Sequence, residues 1–378
     1  MNQPTELLKE LTLVIPSYNR QSYLLRSLKY WDGRGPQVYA LDGSGQAISE
    51  NAIKDFGENI HYLHLPLSYR ERLNKARNII RTRYVALLAD DDFYLPSGLV
   101  AAIASLESDS SLVACVGRPL GFNYNKKNAV VGINGVYQDM YNDYIIDSEK
   151  PAMRIFDHMN RYMPSTMYAI LRTEDWRKSL EAHVRHEFPI FSIIELQMEL
   201  TISYLGKTKV IPFLSWLKST ELEQAAGPDI SLLRTNEFHD WWPSPEYKQV
   251  FRDKFLEVTA EVFSEFDGRD RCVISKEIEV AMDAYVAWCE RYFKKAVSFY
   301  RLREALKVCL PKIIVSVITH ATRKMRRLQN SPESQRTLIE CAKAVEKSGT
   351  SVNFHELNEI VALVADFHAN SLKKQCQP

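Results

Sequence analysis

The sequence predicts an α/β fold, in which a mostly parallel β-sheet with flanking helices is followed by a smaller all-helical region. Within residues 11–116, short apolar runs rich in β-branched and aromatic residues alternate with segments of helical periodicity. After the Gly227–Pro228 pair the pattern is helical, without strand alternation. We therefore expect two domains, residues 1–225 and 226–378, consistent with about 150 residues per domain.

The first five predicted strands share their length and their bounding turn residues; they cover residues 11–18, 37–41, 60–65, 84–89 and 111–116. Helices are predicted between them at 20–30, 46–56, 68–82 and 96–107, the last with Pro96 in its first turn. Such alternation favours a parallel, Rossmann-like sheet, whose ligands bind beyond the carboxyl ends of the strands. The residues directly after each strand are therefore the first functional candidates.

The remaining chain completes the first domain and forms the second. Residues 119–147, rich in Gly, Asn, Tyr and Asp, predict a hairpin or an ordered excursion that walls a pocket. The first domain then continues with strands at 165–172 and 208–214 and helices at 174–185 and 189–205. The second domain is predicted as helices at 246–266, 275–300, 301–327, 332–347 and 354–372.

Composition excludes several classes of protein. A net charge of +1 is too even to support nucleic-acid binding by bulk electrostatics. The six cysteines form no Cys-x-x-Cys pair, which argues against a zinc site or a disulfide framework and for a reducing compartment. No signal peptide is recognised, and the apolar stretch 313–318 is short of the roughly 20 residues of a membrane span. We expect a cytoplasmic protein.

The strongest chemical signal is the run Asp90, Asp91 and Asp92 after a buried apolar strand. A strand projects alternate side chains to one side, so Asp90 and Asp92 are expected to point together. Two convergent carboxylates suit Mn²⁺ or Mg²⁺, which complete their shells with water and phosphate oxygens. The alternative is an acidic turn that caps the helix beginning near Pro96.

Two other strand ends carry weaker signals. Asp42, in Leu-Asp-Gly-Ser, follows the second strand and can accept a hydrogen bond from a nucleobase or a ribose, although a plain turn has the same composition. The first strand ends in Pro16-Ser17-Tyr18, where a tyrosine ring can hold a planar base. Neither signal is specific by itself.

Taken together, these motifs resemble the inverting nucleotide-sugar glycosyltransferases of the GT-A fold, in particular glycosyltransferase family 2. LTLVIPSYNR is similar to the family's first strand, ALDGS to its second-strand acid, ERLNKARNII to its Ala-Arg-Asn segment and YVALLADDD to its metal-binding Asp-x-Asp strand. The four motifs occur in the family's order. The resemblance covers residues 11–218 and implies a GT-A fold for them.

The resemblance also implies roles for individual residues. Pro16 and Tyr18 would line the base site, and Asp42 would hydrogen-bond the base. The other implied nucleotide contacts are Arg77, near the nucleotide, and Asp90, facing the ribose or donor sugar. Asp92, together with Asp90, would hold Mn²⁺ or Mg²⁺ between the two phosphates, where the ion stabilises the departing diphosphate.

The general base of the family lies on a late helix. Counting back from Gly206 places Glu195 at the base position, with Leu196 in place of the customary second acid. Glu199, four residues later on the same helix face, is the second candidate. The alternative is that both glutamates are solvated helix carboxylates.

The expected function is metal-dependent transfer of a sugar, with inversion, from a nucleoside-diphosphate sugar to a hydroxyl of a glycan or lipid-linked acceptor. Bacterial surface polysaccharide or glycan assembly is the implied setting. The alternative is a catalytically degenerate GT-A domain that acts as a membrane-surface scaffold or binding module, an interpretation favoured by Leu196 and by the basic segment described next.

Residues 291–327 form a basic segment, with eleven Lys and Arg against one acidic residue, Glu304. Apolar residues between the charges fit helices with one apolar and one basic side, which can lie on an anionic membrane surface. We therefore predict peripheral contact with the inner face of the cytoplasmic membrane. The alternative is a core-packed helix pair whose solvated face is basic.

Overall fold

The computed structural model describes residues 4–125, 129–133, 144–163, 167–222, 241–309 and 336–375. Within them, one sheet contains the strands β1 (Leu11–Ser17), β2 (Gln37–Asp42), β3 (Ile60–His64), β4 (Tyr84–Leu87), β5 (Phe93–Tyr94), β6 (Leu112–Tyr124), β7 (Val130–Ile133), β8 (Ile145–Ile146), β9 (Ile170–Arg172) and β10 (Lys207–Ser219). The strand order is β3-β2-β1-β4-β9-β6-β10-β5, with β7 beside β6 and β8 beside β10. The predicted α/β fold is confirmed.

The first half of the sheet is parallel and the second half is mixed. β1 pairs in parallel with β2 and β4, and β2 pairs in parallel with β3. β9 runs antiparallel between β4 and β6, while β10 lies parallel to β6 and antiparallel to β5. β6 and β7 form the hairpin that the sequence predicted after residue 119. Residues 134–143 of the predicted excursion lie outside the described residues.

The described helices are α1 (Pro4–Lys9), α2 (Gln21–Trp31), α3 (Glu50–Ile53), α4 (Tyr69–Ile79), α5 (Pro96–Ser108), α6 (Pro151–Asn160), α7 (Thr173–Ser179), α8 (Glu181–Arg185), α9 (Phe191–Leu205), α10 (Asp253–Asp267), α11 (Arg271–Cys309), α12 (Leu338–Lys347) and α13 (Phe354–Gln375). A π-helical turn, Lys248–Arg252, precedes α10. The predicted helix at 46–56 shrinks to α3, which buries no side chain completely and packs against the core only through the half-buried Ile53.

The C-terminal helices pack on two different cores. α10 and α11 join α6 and α9 in a cluster that includes Trp241, Phe255 and Tyr285. α12 and α13 pack instead against the sheet through residues such as Leu338 and Ile360. The predicted domain boundary near residue 225 lies in 223–240, outside the described residues, so the two-domain division stays a prediction.

Most of the predicted basic segment also lies outside the residues, or the side chains, that the structure describes. The structure gives the backbone of α11 to Cys309 but no side chains for 292–309, and residues 310–335 are outside it. Membrane contact through 291–327 therefore stays a prediction. None of the helices in the described ranges is both long and apolar enough to cross a membrane.

Candidate active site

The carboxyl ends of β1, β2 and β4 meet at one edge of the sheet. Ser17, at the end of β1, is paired in register with Asp42 at the end of β2. The Ser17 Oγ donates a hydrogen bond to Asp90 Oδ2 over 2.7 Å. The structure thus brings Asp42 and Asp90 together on either side of Ser17. Both carboxylates are buried.

Asp42 is held as a carboxylate by three donors. Its Oδ2 accepts hydrogen bonds from Gln21 Nε2 (2.8 Å) and the Tyr62 hydroxyl (2.7 Å), and its Oδ1 accepts one from the Ser44 backbone N–H (2.9 Å). Burial raises the pKa of Asp42, but the hydrogen bonds, led by those from Ser44, outweigh it and lower the pKa overall. Asp42 therefore presents negative charge to the edge of the sheet at neutral pH.

Pro16 and Tyr18 flank Ser17 where β1 ends, and both are partly exposed. The next residue, Asn19, adopts a left-handed conformation with φ 55°, and its backbone N–H donates to Ser44 Oγ over 2.9 Å. The exits of β1 and β2 are therefore tied together. Tyr18 follows directly on Ser17, the register partner of Asp42, and its side chain is partly exposed.

The acidic turn, residues Asp90–Asp92, follows the end of β4. Arg20 Nη1 lies 3.4 Å from Asp90 Oδ1 and 3.6 Å from Asp91 Oδ2. Burial and the neighbouring charge of Asp91 raise the pKa of Asp90 to about 6, and burial also raises the pKa of Asp91. Two buried carboxylates thus share one arginine at this position.

Asp92 points away from that pair. Its Oδ2 accepts from the Trp216 indole N–H over 2.9 Å, and its Oδ1 accepts from the Ser219 backbone N–H over 2.7 Å, so the side chain faces β10. Burial raises its pKa to about 7. The expectation that Asp90 and Asp92 point together is incorrect, because β4 ends at Leu87 and the strand alternation does not extend into the turn.

A divalent cation fits the acidic turn best at Asp90 and Asp91. Asp90 accepts hydrogen bonds only from the side chains of Ser17 and Arg20 among the described residues, and Arg20 and Arg26 both lie near Asp91. Both oxygens of Asp92 are instead held by the Trp216 indole and the Ser219 backbone. The described part of the chain contains no group of three or more His, Cys, Asp or Glu side chains arranged to hold a metal. Phosphate and water oxygens would therefore complete the shell of a Mn²⁺ or Mg²⁺ ion here.

Arg72 is a buried cation of this edge that the sequence analysis did not single out. It is 2% exposed, and its Nη1 donates to Ser17 O (2.6 Å) and Leu41 O (2.8 Å). A Cβ at Gly43 would lie 2.7 Å from the Arg72 Cζ, so a larger residue there would force the buried guanidinium to move. The sequence does carry one sign of this: Arg72 precedes the buried Ala76 by four residues, so it lies on the buried face of α4.

The structure does not bring Arg77 to this edge. It lies five residues after Arg72 on α4, about 7.5 Å further along the helix, and its side chain pairs with Glu181. α4 runs from the carboxyl edge of the sheet back toward the amino end of β4, so its two arginines serve opposite edges. A role for Arg77 at the nucleotide stays a prediction without support from this geometry.

The base candidate Glu195 lies on α9 in an apolar surrounding. It is 9% exposed, and the Tyr162 hydroxyl donates to its Oε1. Rings of Tyr285 and Trp288 pack edge-on against Tyr162. Burial raises the pKa of Glu195 to about 7, although the Tyr162 hydrogen bond opposes the shift. Glu195 can therefore change its protonation near neutral pH.

Glu199, the second candidate, is fully buried one turn further along α9. Its Oε1 accepts from the Met167 backbone N–H over 2.9 Å, and its Oε2 lies 3.0 Å from His158 Nε2. His158 in turn shares a hydrogen bond with the Tyr144 hydroxyl. Glu199 is thus occupied by the protein, and Glu195 is the more accessible of the two glutamates.

Lys218, at the end of β10, is a cation whose charge acts both on Asp92 of the acidic turn and on Glu195. Its Nζ lies 5.2 Å from the ring centroid of Trp216 and 5.7 Å from that of Tyr168. Its charge opposes the raised pKa of both Asp92 and Glu195. Sequence analysis overlooked this residue, since a lysine at a strand end has no motif of its own.

The C-terminal helix α13 reaches the acidic turn through a buried salt bridge. Arg26 Nη2 donates to Asp91 O over 3.1 Å, and the same guanidinium binds both carboxylate oxygens of Glu221, at 3.1 and 2.8 Å. His368 of α13 contacts Glu221, and Phe367 packs against Arg26. The backbone of the turn is therefore fixed partly by residues nearly 280 positions away.

Comparisons with known proteins found one family model and several solved structures that are similar to this chain. Residues 12–169 match the family model described as Glycosyl transferase family 2. Similar solved structures include S. aureus TarS 1–349 alone, in complex with UDP-GlcNAc and in complex with UDP. They are 14%, 12% and 14% identical, cover 75% of this chain and 91%, 92% and 91% of their own, and have TM-scores of 0.42, 0.41 and 0.42. No curated protein matches the chain.

Proposed function

We propose that this protein, whose residues 12–169 match the family model described as Glycosyl transferase family 2, transfers a sugar with inversion from a nucleoside-diphosphate sugar to an acceptor hydroxyl. The observation that supports this most is the layout of charge. Asp42, Arg72 and the acidic turn gather at the carboxyl edge of the sheet, and the charge of Lys218 acts on both Asp92 of that turn and Glu195. The donor is therefore proposed to bind at the edge of the sheet, and the general base is proposed to lie on α9.

The donor is proposed to bind along the edge formed by β1 and β2. Pro16 and the Tyr18 ring hold the base, and Asp42 accepts its N–H, because that carboxylate is kept ionised by its own donors. Asp90 lies next to Ser17 and so faces the ribose or the sugar. Arg20 and Lys218 supply positive charge on either side of the acidic turn for the diphosphate.

Asp90 and Asp91 are the carboxylates we propose to hold Mn²⁺ or Mg²⁺. Such an ion, when bound, stabilises the negative charge that develops on the departing diphosphate. Asp92, to which the resemblance assigned this role together with Asp90, is proposed to fix the shape of the turn through Trp216 and Ser219. Arg26 holds the turn from the other side by its bond to Asp91 O.

Glu195 is proposed as the general base that takes the proton of the acceptor hydroxyl. A pKa of about 7 suits this task, since the carboxylate is available at neutral pH and still basic enough to accept a proton. Tyr162 orients the accepting oxygen. Attack by the acceptor on the face opposite the diphosphate inverts the anomeric carbon in a single displacement.

Thermal denaturation with a panel of nucleoside-diphosphate sugars, with and without Mn²⁺, tests donor binding. A ligand at a hundredfold excess over its Kd stabilises the folded protein by about 2.7 kcal/mol, which is readily measured. Asp91→Asn should abolish the Mn²⁺-dependent part of the stabilisation by sugar nucleotides. Asp109→Asn, which changes an exposed aspartate, is the matched control. Stabilisation by no sugar nucleotide would instead favour the degenerate scaffold.

Product stereochemistry tests inversion separately. The anomeric configuration of the first product, followed by NMR before mutarotation, should be opposite to that of the donor. Retention would exclude the role of Glu195 as a base in a single displacement while leaving donor binding untouched. Equal binding with and without Mn²⁺ would contradict the metal proposal alone.

The acceptor is proposed to be a glycan or a lipid-linked glycan, with the basic segment 291–327 bringing the enzyme to an anionic membrane. Eleven basic residues, each contributing about 1 kcal/mol near such a surface, would suffice even if half engaged. Binding to vesicles should rise with anionic lipid and fall with salt. Equal binding to neutral and anionic vesicles would contradict the membrane proposal.

A further inference from the structure

A second charged region lies away from the proposed donor site, at the end of α4. Arg77, Asn78, Arg81 and Arg177 line an open cleft of about 490 Å³, here called the arginine cleft. Its volume falls in the range of small-molecule sites, roughly 300–1,000 Å³. Three guanidinium groups converge on it from two parts of the chain that are about a hundred residues apart.

Arg177 forms part of the cleft by capping the C-terminal end of α4. Its Nη2 donates to Ile80 O over 2.6 Å and its Nε donates to Arg77 O over 3.2 Å, so it satisfies carbonyls left open at the C-terminus of α4. Its Nη1 also pairs with Glu174. Arg177 is therefore fixed in place.

The positive charge in the cleft exceeds the negative charge beside it. Glu181 pairs with Arg77 through one oxygen and with Arg185 through the other, so its single charge is divided. Arg81 forms no ion pair with any residue that the structure describes, and its side chain donates only to the neighbouring Ile80 O. Most N–H donors of Arg77 and Arg81 have no partner among those residues.

We propose that the arginine cleft binds a phosphate group. Guanidinium groups are planar, permanently charged and matched in geometry to phosphate oxygens, and three of them offer more donors than a carboxylate can accept. The space exceeds a bare phosphate, so the group belongs to a larger molecule, either a phosphodiester or a free phosphorylated compound. The site is separate from the donor site, because α4 carries Arg72 to one edge of the sheet and Arg77 toward the other.

Titration calorimetry of the full chain in metal-free buffer tests this proposal. Pyrophosphate serves as the free phosphorylated probe and glycerophosphoglycerol as the phosphodiester, and the tighter of the two identifies the source. Arg81→Gln should weaken binding on the order of tenfold, as expected for the loss of a charged hydrogen-bonding partner. Since the Arg81 side chain bonds only its neighbour's carbonyl, this variant should fold normally.

Arg83→Gln is the matched control, because Arg83 is exposed, pairs with Glu107 and does not line the cleft. Lys218→Met separates the cleft from the proposed donor site. Binding weakened by Arg81→Gln and kept in Arg83→Gln and Lys218→Met supports the proposal. Three results would overturn it: absence of binding to either probe, equal affinity of Arg81→Gln and wild type, or loss of binding in Lys218→Met instead. Loss of binding in Lys218→Met would place the probe at the proposed donor site, so it would overturn the cleft while supporting that site.

Discussion

The acidic turn and the glutamates of α9 are two buried carboxylate regions with different neighbours. Asp90 and Glu195 both have a pKa raised by burial, to about 6 and about 7. Asp90 lies among charges, with Asp91 beside it and Arg20 within 3.4 Å, whereas Glu195 accepts a hydrogen bond from the neutral Tyr162. The first setting suits a cation and a diphosphate, and the second suits a group that gains and loses a proton.

The largest expected effect comes from removing the carboxylate of Glu195. Glu195→Gln should lower turnover by a factor on the order of 10² to 10⁴, as for loss of a general base, while the Kd for the donor is unchanged. Steady-state kinetics and calorimetry measure the two effects. Glu199→Gln, the control on the same helix, should reduce turnover much less. The opposite ranking would make Glu199 the base.

Asp92→Ala should reduce stability more than any change at Asp91. It leaves the Trp216 indole N–H and the Ser219 backbone N–H buried without an acceptor, at about 1–3 kcal/mol each. Asp91→Asn keeps the shape of its side chain and removes one of two crowded charges, so the free energy of unfolding should change little. Urea denaturation of both variants measures this difference. Equal loss in the two would refute the distinction drawn between these aspartates.

Glu195 also makes stability depend on pH. Its folded pKa of about 7 exceeds its ordinary value of 4.5, so the folded state holds the proton to higher pH than the unfolded state. The stabilisation is present below pH 4.5 and is lost as pH rises through 7, on the order of 1–3 kcal/mol. Glu195→Gln should flatten this part of the profile, measured by urea denaturation from pH 4.5 to 8. An unchanged slope would mean that Glu195 is ionised throughout.

Tyr162→Phe should have the smallest effect on activity, and it tests whether the protonation of Glu195 controls kcat/KM. The tyrosine hydroxyl lowers the pKa of Glu195, so its removal should move the acid limb of kcat/KM, expected near pH 7, to higher pH. The plateau at high pH should change little. A merely structural tyrosine would lower kcat/KM equally at every pH. Tyr285→Phe, which alters a neighbouring ring of Tyr162, is the control.

Much of the fold was predictable because its signals are local. Strands β1 to β4 and helices α2, α4, α5 and α9 follow apolar periodicity and turn residues, and their predicted bounds lie within a few positions of those in the structure. α3 and the break at Leu180 were not predictable in the same way, since burial decides where a short helix continues. The mixed half of the sheet likewise depends on pairings between distant strands.

The residues of the candidate site likewise fall into two groups, those that the local sequence predicts and those that only tertiary contacts place. The sequence alone determined that acids follow β2 and β4 and that Glu195 lies on a late helix, because the order of motifs along the chain is enough for that. Only the tertiary structure decided that Asp92 faces Trp216, that Arg72 rather than Arg77 lies beside Asp42, and that α13 braces the acidic turn through Glu221. Each of these depends on which side chains burial brings together across the sheet, and partners that lie 31 to 147 residues apart leave no local pattern.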